Sequence, residues 1–171
     1  MSTVCFDHPQ VEVHLAKTTC YYTNNMKIML SKGNTNEATI AFLKSHTMAA
    51  LATVDEDGSP SVATIYYTTL VPPEILFITK SETAKLINMR ANPTVALAIS
   101  DENQLTTLQL KGTAQEVRDP EVIDKVFDHI TNKSAHPAHW PPPIIKMKQG
   151  NFVVMSITPT IMKLSDYRHF S

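Results

Sequence analysis

The sequence predicts a mainly β chain, folded as a small closed or partly closed antiparallel barrel of about seven strands with three short helices. Three observations carry this expectation. Runs of alternating apolar and polar residues recur along the chain. Short turn signals, Asp57-Gly58, Pro72-Pro73 and Asp101 to Asn103, separate them, so successive strands are antiparallel neighbours. Closure then removes the exposed edges that such a sheet would otherwise present.

The elements follow in order. Residues 1–33 form an N-terminal arm. In it VEVHLA alternates like a short strand, CYYTNN reads as a loop, and MKIML begins a helix or adds an edge strand before Gly33. Residues 34–171 form the main domain. Asn34 followed by Glu37 resembles a capping box, and a helix is expected from about Thr35 to Ser45 with Ala38, Ala41 and Phe42 inward. MAALATV is the first barrel strand, and its small residues suit close packing on both faces. Asp57-Gly58 turns the chain into SVATIYYTTL, and Pro72-Pro73 turns it into EILFITK.

Ser81 to Ala91 is a short helix ended by Asn92-Pro93. TVALAIS and the long LTTLQLKGTAQEV follow, with Gly112 at a bulge or a close backbone approach. Asp119-Pro120 starts a helix to about Thr131, with Asp as cap and Pro in the first turn. Residues 134–150 are a proline-rich connection of the length that functional loops have. NFVVMSITP and TIMKLSDY read as two last strands, antiparallel across Thr158-Pro159.

Composition narrows the function. The chain has 171 residues, a net charge of −1 and a hydrophobic share of 43%, which suits one folded domain. No basic run with interleaved aromatics is present, so nucleic acid is not an expected partner. No apolar segment reaches spanning length and the N-terminus lacks a secretory core, so the expected compartment is the cytoplasm, without membrane contact. Cys5 and Cys20 are then free thiols.

The chemistry-bearing motifs are few. A hydroxyl-rich turn, Ser81 and Thr83, leads from a strand into a helix with Lys85 in its first turn. Such a turn seats a phosphate, because amides and the helix dipole face the anion. The plainer alternatives are helix caps for the hydroxyls and a solvated lysine. Tyr66 and Tyr67 put one ring on each face of their strand, one for the core and the other for a cavity or interface. His136 and His139 lack a third ligand nearby, and no metal is expected; Trp140 beside them is placed to fold over a ligand. His169 is a surface residue or a candidate haem ligand. Asp55, Glu56 and Asp57 are a solvated turn. With no triad, phosphate-binding P-loop or dinucleotide fingerprint, no catalytic side chain is expected; a cofactor supplies the chemistry, or there is none.

Three stretches, FLKSHTMAALATVDEDGSPSVATIYY, ILFITKSETAKLINMRANPTVALAIS and LQLKGTAQEV with its Asp-Pro helix, carry a resemblance in their order and spacing. Over about residues 41–117 the chain resembles the FMN-binding split-barrel family that includes pyridoxamine 5′-phosphate oxidase. The resemblance implies a split barrel that forms a homodimer with FMN in two clefts at the interface. It places Ala63, Thr64, Ile65, Tyr66, Tyr67 and Thr68 along the flavin ring, and Ile78 and Thr79 beside ring and ribityl chain. It places Thr83, Ala84 and Lys85 on the phosphate, and Thr107 where the oxidase has a ring-contacting glutamine. Trp140 would shape the pocket of a small-molecule substrate. The implied activity is FMN-dependent hydride transfer; the alternative is a non-enzymatic flavin- or haem-binding split barrel. The chain departs from the oxidase at Ala63 and Ala84, where the oxidase has arginines aimed at the phosphate. Its C-terminal substrate motif is not evident either, so pyridoxamine phosphate is not the expected substrate.

Overall fold

A computed structural model describes residues 13–15, 18–23, 26–32, 37–133 and 151–168. Among them are nine strands and three helices. The barrel is built from β4 (Met48–Val54), β5 (Pro60–Thr68), β6 (Ile75–Lys80), β7 (Thr94–Asp101), β8 (Thr106–Glu116) and β9 (Phe152–Asp166). Neighbours run β9-β6-β5-β4-β7-β8, and β8 pairs with β9 again, so six strands close an antiparallel ring. Outside it, β1 (Val13–Leu15), β2 (Thr18–Thr23) and β3 (Met26–Lys32) form an antiparallel ladder that joins the second half of β9. CYYT is therefore strand rather than loop, and MKIML is a strand rather than a helix, placed between β2 and β9 and not at an edge as expected.

The strand period of two sends Ala49, Leu51, Ile65, Tyr67, Leu97, Ile99, Leu108 and Leu110 into one interior core. Two helices close its ends. From α1 (Glu37–Ser45), Phe42 and Leu43 enter near the start of β4, and the Tyr67 hydroxyl donates to the Leu43 carbonyl at 2.9 Å. From α2 (Ala84–Ala91), Leu86 and Met89 enter at the opposite end, beside the β4–β5 hairpin. That hairpin turns at Gly58, φ 84°, while Asp55 Oδ1 accepts from the amides of Asp57 and Ser59. The third helix, α3 (Pro120–Lys133), lies outside β5 and β6, covering Leu76, Ile78 and Val154 with Val126 and Ile130. So β6 is buried on both faces.

The expected final hairpin is instead one continuous strand. The first half of β9 pairs with β6 from Phe152 to Ile157, and the second half pairs with β3 from Ile161 to Asp166. Pro159 falls in the interval where neither occupies that edge, and it opposes Gly112 at a register shift on β8. A residue without an N–H is tolerated there and nowhere else in a central strand. Gly112 is required for its part: a Cβ would lie 2.6 Å from the Thr158 carbonyl oxygen and 3.0 Å from Ile157 Cγ2.

Candidate functional site: the split between β5 and β6

β5 and β6 are laddered at only two residue pairs, Tyr67↔Phe77 and Thr68↔Leu76. Beyond these the strands part. β5 from Pro60 to Tyr66 keeps its pairing to β4, and β6 from Ile78 to Lys80 keeps its pairing to β9. Their facing edges therefore carry backbone donors and acceptors with no strand opposite, which a bound molecule can satisfy.

The turn from β6 into α2 forms the polar end of this split. Thr83 caps α2 in extended conformation, and its carbonyl accepts from the amides of Leu86 (3.0 Å) and Ile87 (3.1 Å). Its hydroxyl does not cap the helix. It donates back to the Lys80 carbonyl at 2.9 Å and accepts from the Thr79 hydroxyl, also at 2.9 Å. The hydroxyl protons of Thr79 and Thr83 are thus committed within the turn. The amides of Ala84 and Lys85 have no acceptor among the described residues. The Lys85 side chain is half-buried and meets no carboxylate among them, and burial pushes its pKa below the usual lysine value. Lys80 lies 3.8 Å from Glu82. An unpaired, partly desolvated ammonium beside two open amides is arranged to receive an anion.

The expected site residues divide into groups. Ala63, Thr64, Thr79, Thr83, Ala84 and Lys85 border the split. Ile65 and Tyr67 point into the core, and burial pushes the Tyr67 phenol well above its normal pKa. Tyr66 and Ile78 pack under α3, and buried Thr68 lies 3.4 Å from His129 Nδ1. Thr107 is on β8, three strands from β5, with its hydroxyl buried and unpartnered among the described residues. Trp140, His136, His139 and His169 lie outside the described residues. One group escaped the sequence reading: Asn88 of α2 donates to Thr53 and Ser61. Its only sequence signal is an amide in mid-helix, where asparagine is a poor choice.

On the outer surface, Ala50, Ala52, Val62, Ala96, Ala98 and Ile161 line a shallow concavity of about 480 Å³ across β5, β4, β7, β8 and β9. Lys111, Lys163 and Gln109 border it on one flank.

The sequence model of the family described as pyridoxamine 5′-phosphate oxidase matches residues 35–165. The chain belongs to the pyridoxamine 5′-phosphate oxidase-like family. The match spans every barrel strand but the last residue of β9. Solved structures of the same fold include an F420 reductase (23% identical, TM-score 0.60, covering 75% of this chain and 98% of that one). A haem storage protein, HutZ, from Vibrio cholerae is 21% identical with TM-score 0.57, covering 72% and 89%. A FAD-binding protein from Mesorhizobium loti is 16% identical with TM-score 0.62, covering 82% and 97%. No curated protein sequence is a significant match. No helix among the described residues is long and apolar enough to cross a membrane.

Proposed function

We propose that this member of the pyridoxamine 5′-phosphate oxidase-like family is an FMN-dependent oxidoreductase acting on a small molecule as a homodimer. The observation that carries this reading is the split, whose two unladdered edges meet an unpaired lysine and two open amides at one end. These groups fit a planar ring with a phosphate tail. The flavin, when bound, supplies hydride transfer. The chain's own residues bind and orient it. The amides of Ala84 and Lys85 and the Lys85 ammonium hold the phosphate; the β5 edge around Thr64 meets the ring; Thr79 and Thr83 brace the turn that carries the donors. Neither Ala63 nor Ala84 adds a cation, so the phosphate depends on Lys85.

The apolar outer face supports the homodimer. Val62 is 72% exposed and Ile161 48%, beside alanines that let a second copy approach closely. Thr107 lies three strands from β5, so a role for it at a split would require a second copy.

The spectrum of the purified protein after FMN loading and gel filtration tests the reading. Stoichiometric retention of the oxidised flavin bands supports it. A colourless protein refutes it, and a haem titration then examines the alternative, a non-enzymatic binder.

A further inference from the structure

We infer that Asn88 sets the width of the split at its phosphate end and thereby the preference for a phosphorylated ligand. This inference rests on the cofactor reading above. Asn88 is 7% exposed, and its side-chain amide donates to Thr53 Oγ1 at 3.1 Å and to Ser61 Oγ at 3.2 Å. Those two hydroxyls are 2.9 Å apart on cross-strand partners of β4 and β5. Asn88 belongs to the helix that continues from β6. The Asn88–Ser61 hydrogen bond therefore spans the split, joining its two sides where no ladder does.

A buried primary amide must be hydrogen-bonded to be tolerated. Its helix neighbours Leu86 and Met89 enter the core as apolar groups, and a leucine at position 88 would suit packing alone. A polar group kept there fixes geometry. Ala84 and Lys85 lie one turn back on the same helix, about 5–6 Å along its axis. Among the described residues of the turn and the first turn of α2, their amides and the Lys85 ammonium are the donors we assign to a phosphate, since the Thr79 and Thr83 hydroxyls are bonded within the turn. Every phosphate donor thus moves with α2, and Asn88 ties α2 to the β5 edge. Asn88 is a positioning residue; it does not touch the ligand.

Riboflavin shares the ring of FMN and lacks the phosphate, so the ratio of the two affinities reads the phosphate end alone. Both are titrated by quenching of flavin fluorescence against the wild type, Asn88→Leu, Ser61→Ala and Ser61→Thr. Asn88→Leu is expected to weaken FMN by about tenfold or more while leaving riboflavin unchanged. Ser61 is exposed; Ser61→Ala cuts the bridge from outside the helix and is expected to lower the same ratio, and Ser61→Thr, which keeps a hydroxyl, to preserve it. A wild-type protein that binds neither flavin overturns the cofactor reading and this inference together. A wild-type protein that prefers FMN, and keeps that preference in Asn88→Leu and Ser61→Ala, overturns this inference alone.

Discussion

Replacing Lys85 with methionine should improve the cofactor-free protein while damaging the flavin complex, and the two effects have one cause. The Lys85 ammonium is half-buried and meets no carboxylate among the described residues, and burial holds its pKa below the ordinary lysine value. A folded-state pKa below the unfolded one means that the charged form opposes folding. That cost is fully present below the depressed folded pKa, and it fades as the pH rises through that value toward the unfolded one near 10.4. Methionine keeps the length and packing of the stem without the charge. Cofactor-free Lys85→Met should therefore melt at or above the wild-type temperature at neutral pH, and should lose the wild-type gain in stability on the alkaline side. With FMN the sign reverses. A charge-assisted contact to phosphate contributes roughly 1.5–3 kcal/mol, and no guanidinium at position 63 or 84 is there to compensate, so FMN affinity should fall roughly tenfold to a hundredfold. Riboflavin affinity should not move. Thermal melts across pH and the two flavin titrations read these quantities. Unchanged FMN affinity, or equal losses for FMN and riboflavin, would refute the assignment of Lys85 to a phosphate.

The remaining predictions concern the scaffold and the outer face. Gly112→Ala places a Cβ 2.6 Å from a backbone oxygen at the β8 register shift; overpacking of that kind should cost about 1–3 kcal/mol in urea unfolding, and a stability equal to wild type would show that the bulge can relax. Tyr67→Phe removes the hydroxyl that satisfies the Leu43 carbonyl; about 1–3 kcal/mol should be lost, with no change in flavin affinity, and a flavin effect would show that the strand-end tyrosine reaches the ligand after all. Ala98→Arg sets a long cation in the middle of the alanine-lined concavity; light scattering should then give a monomer, whereas an intact dimer would place the interface elsewhere.

The order of the barrel strands was legible because each is punctuated by chemistry that leaves little choice. Asp57-Gly58 supplies the positive φ of the first hairpin, and Asp119-Pro120 starts α3 at the residue expected. The last strand was misread for a reason that lies outside its own residues. Thr158-Pro159 looks like a turn, and only the change of partner from β6 to β3 along one edge explains how a proline sits inside a strand. The loop reading of CYYTNN failed similarly, since Thr18–Thr23 is strand only by virtue of its pairing to β1 and β3.

The turn proposed as the phosphate end was legible in the sequence, and the arrangement of its hydrogen-bond donors was not. Lys85 stands in the first turn of α2, and the turn itself follows from the order of strand, hydroxyls and helix. The sequence cannot say where a hydroxyl sends its proton. The Thr83 hydroxyl donates its proton to the Lys80 carbonyl and so braces the turn. Nor can helical periodicity say that Asn88 faces Ser61, because that contact depends on how far β5 and β6 diverge. These two facts bear on one question, how a flavin seat works without the two arginines. On the proposed flavin reading, the barrel, the split and the turn are present without a charge at Ala63 or Ala84, so recognition would rest on one helix terminus instead of several independent side chains. Independent arginines each tolerate an error in backbone placement, because a long side chain can reach. Backbone amides cannot reach; they bind only where the helix is set. A seat of this kind makes the hydrogen bond that positions the helix as consequential for the ligand as the lysine that touches it.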